Sequence, residues 1–204
     1  MVPLTFMVYL TFIMKRLTLA PFLCFSALLV GPGCNPGKKE PPIPTVDGAV
    51  AQVSAGGETH AALPKLGPAP SWQLQDLNGK VVRSEELKGK VVVIDFWATW
   101  CGPCRVEIPG YVEMQKKYGK EGFAIVGISL DQAGPEVVKA FADKFAINYT
   151  ILMGDDAITG TFGGVEAIPT TFLIDRTGQI RDRKLGAEHS ETYEKKVLSV
   201  LRES

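Results

Sequence analysis

Two cysteines separated by two residues, in Trp100-Cys101-Gly102-Pro103-Cys104, are the side chains of this sequence best suited to chemistry. They follow the apolar run Val91 to Trp97 and precede a stretch with helical spacing, so they stand where a strand hands over to a helix. Residues three apart share one face of a first helical turn, and their sulfurs can close a small disulfide ring. The unpaired N–H groups and positive dipole end of that turn favour a thiolate, and thiols so placed titrate at roughly 3.5 to 7.5. Cys101 is therefore the expected nucleophile. It attacks a substrate disulfide, Cys104 one turn deeper resolves the mixed disulfide, and the pair is left oxidised. Pro103 is tolerated because a first-turn residue has no intrahelical bond to lose.

Other chemistries fit the cysteines less well. The four cysteines stand at 24, 34, 101 and 104, and the first two fall in a segment that does not read as folded protein. A zinc site needs more ligands than this pair, and the folded part adds only His189. A purely structural bridge around so short a loop would restrain little of the unfolded chain. Two soft thiolates could hold Cu(I), which makes a metal-delivery module a competing reading, but no cysteine- or methionine-rich cluster lies beside the motif. No cofactor beyond the redox disulfide is expected.

Two carboxylates lie close in sequence. Asp95 interrupts the apolar run, so burial should raise its pKa and suit it to accept a proton, unless it is simply satisfied at the strand end. Glu107 follows Cys104 by three residues and shares its helix face, either holding a proton near the pair or facing solvent. Trp100 is expected to flank the site, Trp97 to be core, and His189 to be structural.

The elements that must position these groups are legible as an α/β alternation. Asn78-Gly79 between Trp72–Leu77 and Lys80–Arg83 signals a two-residue hairpin. Val91 to Trp97 and Phe123 to Leu130 read as doubly buried strands, with a helix from Cys101 to Tyr118 between them that Pro109 should kink. Pro135 to Phe145 reads as a helix burying Val137, Val138, Phe141 and Phe145, followed by a strand over Tyr149 to Leu152. After a glycine-rich loop at 160–164, Thr170–Ile174 and Gln179–Lys184 form a second hairpin, and Glu191 to Leu201 a last helix. The sheet should be mixed, parallel in the middle with an antiparallel hairpin at the end.

Three segments follow: 1–33 for export, 34–67 as tether, 68–204 as the folded domain. Met14-Lys15-Arg16 before the apolar run Leu17 to Val30 has the form of a secretory signal, with Met14 a second possible start. Gly31-Pro32-Gly33-Cys34 resembles the end of a bacterial lipoprotein signal, which would make Cys34 the lipid attachment site. The Pro- and Gly-rich stretch that follows, including His60, would let the domain range about 30 to 35 Å from its anchor. Twenty-two basic and twenty-two acidic residues, with no long run of either, give no reason to expect nucleic acid as a partner.

Phe96-Trp97-Ala98-Thr99-Trp100-Cys101-Gly102-Pro103-Cys104-Arg105 resembles the active-site segment of thioredoxins. Arg105-Val106-Glu107-Ile108-Pro109 and Ile168-Pro169-Thr170-Thr171-Phe172-Leu173-Ile174-Asp175 resemble the TlpA/ResA branch. The resemblance implies a thioredoxin-like fold with an N-terminal β-hairpin and an inserted helix–strand unit around Pro135 to Leu152. It further implies that Asp95 deprotonates Cys104, that the Ile168–Pro169 bond is cis and faces the cysteines, and that Trp100, Gly102, Pro103, Ile168 and Pro169 meet the substrate. Many members of the branch have an uncharged residue where Asp95 stands, so its presence beside Glu107 leaves their division of labour open. Members are exported, membrane-attached thiol-disulfide oxidoreductases, several of which reduce apocytochrome c or copper-site proteins. The expected activity is reduction of client disulfides outside the cytoplasm, recharged by a membrane thiol-transfer protein. An oxidant or isomerase is the enzymatic alternative, because Gly102-Pro103 does not fix the potential. The opening hairpin resembles peroxiredoxin relatives, yet the paired motif favours disulfide exchange over peroxide chemistry.

Overall fold

Every residue from Val91 to Trp97 is buried, as a strand at the centre of a two-faced sheet requires. The computed structural model describes residues 62–203, so the expected export segment, Cys34 and His60 lie outside the described residues. The strands are β1 (Gly67–Pro68), β2 (Gln73–Asp76), β3 (Val81–Arg83), β4 (Val91–Trp97), β5 (Phe123–Ser129), β6 (Thr150–Met153), β7 (Thr170–Ile174) and β8 (Gln179–Leu185). The helices are α1 (Gly102–Tyr118), α2 (Pro135–Lys144), α3 (Asp156–Thr161) and α4 (Ser190–Leu201). All eight strands join one sheet in the order β1-β8-β7-β4-β5-β6-β2-β3.

β4, β5 and β6 are parallel, β7 and β8 run antiparallel beside β4, and the opening hairpin adds antiparallel to β6. Successive parallel strands added in one direction with the usual right-handed crossover place both connecting helices on one face. Alternation along β4 then sorts its side chains. Val91, Val93 and Trp97 meet α1, α2 and α4, through Tyr111, Met114, Ile108, Val138, Tyr193 and Val197. Val92, Ile94 and Phe96 pack on the other face with Trp72, Ile158, Phe162 and Phe172. Asp95 belongs to the first set by its place in the strand.

Both hairpins turn on the same device. Asp76 accepts the amides of Asn78 and Lys80, and Asp175 accepts those of Thr177 and Gln179. In each turn the fourth residue, Gly79 or Gly178, has φ of 80°, a region that glycine enters without steric cost. The first turn therefore closes a three-residue loop, Leu77 to Gly79, rather than the two-residue loop that Asn78-Gly79 suggests, and the aspartate sets its length.

Other expectations are corrected. Val137 points to solvent, 45% exposed, while Val138 carries the buried face of α2. The stretch around Gly160 is not all loop, because Asp155 caps α3 by accepting the Ile158 amide. The buried face of α1, which carries Pro109 inside it, is made by Cys104, Glu107, Ile108, Tyr111 and Met114, so Glu107 does not face solvent. The domain also starts earlier than residue 68. Leu63 packs into the core, its carbonyl and that of Pro64 accept from the Arg181 guanidinium, and Leu66 donates its amide to Ile180. Arg181 is almost fully buried and also pairs with Asp175 and Glu203, so one guanidinium ties the chain's described ends to the β7–β8 turn. Among the described residues no helix is long and apolar enough to cross a membrane.

Candidate active site

β4 ends at Trp97, and three intervening residues lead to Cys101, the N-cap of α1. Cys101 and Cys104 form a disulfide with Cα atoms 5.3 Å apart. The Cys104 amide lies 3.2 Å from Cys101 Sγ and donates to it, so the sulfur occupies the place where a helix N-terminus welcomes negative charge. When the bridge opens, the same amide remains to stabilise a Cys101 thiolate. Cys101 and Cys104 are 5% and 2% exposed, while Gly102 and Pro103 over them are open to solvent. Trp100 stands beside them as an exposed ring, and Trp97 is core, its indole lying so close over Gly127 that a Cβ there would sit 2.9 Å from Nε1.

The loop before the cysteines is held from two sides. Asp131 is buried and accepts from the Thr99 amide (2.9 Å), the Thr99 hydroxyl (2.5 Å) and the Ser129 hydroxyl (2.8 Å). Arg105, which lies over the Phe141 ring, donates from Nε to the Thr99 carbonyl at 2.7 Å. Asp131→Ala would leave two buried Thr99 donors unpaired, which should lower unfolding free energy by about 2 to 4 kcal/mol. Urea denaturation of the oxidised variant beside the parent checks this.

Opposite the cysteines, Ile168 and Pro169 lead into β7. Their peptide bond is cis, and the Ile168 carbonyl oxygen lies 3.8 Å from Cys101 Sγ. Pro169 accepts the Gly186 amide.

Beneath lies a buried polar cluster. Asp95 is 2% exposed, and its carboxyl is pushed up to about 7, chiefly by loss of water and then by the Glu107 charge. The Lys184 charge and a hydrogen bond from Thr171 work against this rise. Glu107 is buried, not solvated: it forms an ion pair with Lys184 and accepts the Glu188 amide, while its Oε2 has no hydrogen-bond partner. Thus the expected carboxylates meet in one cluster, which also includes three groups that sequence reading missed, Tyr111, Thr171 and Lys184. His189, by contrast, is exposed at the start of α4 and supplies only its backbone carbonyl, to the Thr192 and Tyr193 amides.

Residues 67–183 match the AhpC/TSA family. The chain belongs to that family. The chain is 35% identical over 127 residues to the thiol-disulfide oxidoreductase ResA of Bacillus anthracis, covering 62% of this chain and 72% of that protein. It is 34% identical over 131 residues to the thioredoxin-like protein YneN of Bacillus subtilis, covering 63% and 76%. A crystal structure of a thiol:disulfide interchange protein of the thioredoxin family from Chlorobium tepidum superposes with a TM-score of 0.62 at 34% identity, covering 69% of this chain and 99% of that one. The fold is thioredoxin-like, the family member is of the TlpA/ResA type, and the protein is a thiol-disulfide oxidoreductase acting on thiols and disulfides of client proteins.

Proposed function

We propose that this oxidoreductase reduces disulfides of client proteins outside the cytoplasm, held near the membrane by a lipid on Cys34. The observation that carries the exchange chemistry is the Cys101–Cys104 pair at the head of α1, with the Cys104 amide donating to Cys101 Sγ; Asp95, a buried carboxyl pushed up to about 7, can take a proton at working pH. The Cys101 thiolate attacks a client disulfide, forming the Cys101–client bond and releasing one client sulfur as a thiolate. Asp95 then takes the Cys104 thiol proton. The Cys104 thiolate attacks Cys101 Sγ, closing the Cys101–Cys104 bond and expelling the second client thiolate, so two electrons pass to the client. A membrane thiol-transfer protein returns two electrons and reopens the pair. Trp100, Gly102 and Pro103 form the exposed contact surface, and half-buried Ile168 offers its backbone to the client chain, held in place by the buried Pro169. Clients of the cytochrome c maturation type fit this chemistry.

The deciding experiment equilibrates the protein in defined thiol–disulfide buffers and quantifies free Cys101 and Cys104. A potential near the thioredoxin value of about −270 mV supports a reductant, whereas one near about −120 mV makes the protein a disulfide donor. Cys34→Ser tests the anchor: loss of lipid labelling and release from membranes is the expected result.

A further inference from the structure

Lys184 stands on β8, whose alternation carries it to the face covered by α1 and α4, and its ammonium is buried between the Tyr193 and Tyr111 rings, 5.1 and 5.9 Å from their centroids. Two carboxylates compete for this one cation. Glu107 holds it directly, in an ion pair. Asp95 is reached through a chain whose direction is fixed by the donors. Lys184 has no acceptor, so Nζ donates to the Tyr111 hydroxyl at 3.3 Å. The Thr171 hydroxyl donates to Asp95 Oδ1 at 3.1 Å, which leaves its oxygen to accept from Tyr111 at 3.3 Å. Each hydroxyl thus points its proton toward Asp95, and a chain of this kind polarises cooperatively from its charged end.

We propose that Lys184 is the positioning residue that divides the labour of the two carboxyls. Its ammonium ties Glu107 down as the standing partner of a buried ion pair and, through Tyr111 and Thr171, presents a hydroxyl donor to Asp95, which is left as the group that exchanges a proton with Cys104. This rests on the reading of Asp95 as the proton acceptor. The groups facing Asp95 are Glu107 and Tyr111 from α1, Thr171 from β7, Lys184 from β8, Tyr193 from α4 and Tyr149 before β6. Lys196 is engaged elsewhere, by Asp182 and Glu188.

A pH titration of the oxidised full-length protein carrying 13C-carboxyl aspartate tests this, the Asp95 signal being the one absent from D95N. K184M removes the cation and should move the Asp95 midpoint upward by about one pH unit, a tenfold gain in proton affinity. Y111F breaks the chain and should move it the same way by less. E107Q frees the cation and should move it downward. The Y111F and E107Q shifts carry the test if K184M does not fold. Midpoints in Y111F and E107Q equal to the parent's would overturn the proposal and leave Lys184 as a structural tie. The pH profile of mixed-disulfide resolution is measured on the same variants: if the carboxyl midpoint moves and the profile does not follow, Lys184 still positions Asp95 but the reading of Asp95 as the proton acceptor for Cys104 fails, and the division of labour with it.

Discussion

Asp95→Asn is expected to raise the melting temperature of the oxidised protein by on the order of 10 °C at pH 9 and to leave it nearly unchanged at pH 4. In the fold the carboxyl titrates at about 7 against an ordinary 3.8, so the folded state binds this proton more tightly than the unfolded one. The stabilisation tied to the protonated form is fully present below pH 3.8. It drains away as pH rises through 7, where the fold must hold a charge without water around it. With 1.36 kcal/mol for each tenfold difference in proton affinity, the cost above pH 7 is roughly 4 kcal/mol. Asparagine keeps an oxygen for Thr171 and never ionises, so it escapes that cost. The same variant should resolve a mixed disulfide about a hundredfold more slowly at pH 7, since general-base assistance contributes on the order of that factor or more. Calorimetry at the two pH values, with stopped-flow resolution kinetics, reads both effects. A protein that keeps a destabilising carboxyl gains activity for stability.

That carboxyl was legible in the sequence because it breaks a pattern. Asp95 stands in a run that is otherwise apolar, so burial and a raised pKa follow from its neighbours alone. The central strands were legible for the same reason: seven consecutive buried residues in β4 leave little choice of element. Lys184 was hidden by the opposite circumstance. It ends the charged run Arg181-Asp182-Arg183-Lys184, which reads as a solvated strand, yet Arg181 and Lys184 are both buried and each neutralises a carboxylate from a distant helix or terminus. Arg181 is the extra residue of a β-bulge in β8, opposite the step from Leu173 to Ile174, which puts the two cations three apart on inward positions, where strict alternation would send one of them out. Glu107 was legible as a neighbour of the cysteines by its spacing, but its burial depends on Lys184 and so could not be read from α1 alone.

Turn geometry shows the same division between local and distant causes. The glycines at 79 and 178 announce turns, and the aspartates three residues before them supply the side-chain acceptor that fixes loop length. The start of the domain could not be read this way, because Leu63 and Pro64 are held by Arg181, more than a hundred residues away. Asp131 belongs with it. The aspartate follows a buried strand and looks like an ordinary strand end, and only the return of the chain at Thr99 shows that it clamps the loop before the cysteines.

Cys104→Ser should accumulate a stoichiometric covalent adduct with a client, whereas Cys101→Ser should lower exchange to the uncatalysed background. The asymmetry follows from position. Cys101 Sγ sits at the N-cap and receives the Cys104 amide, so its thiolate is the one favoured electrostatically, while its place beside the Ile168 backbone is where an incoming chain arrives. Cys104 is covered by the first turn of α1 and packs with Trp97 and Ile108, where a client sulfur does not reach. Serine at 104 leaves the first attack intact and removes the resolving sulfur, so the Cys101–client bond persists until an external thiol enters. Non-reducing electrophoresis with intact-mass analysis distinguishes the adduct from free protein. Normal turnover by Cys104→Ser would reverse the assigned order of attack. Because Asp95 acts only after the first attack, Asp95→Asn should form the same adduct at the parental rate and then release it slowly. That separates the two halves of the reaction within a single pair of variants.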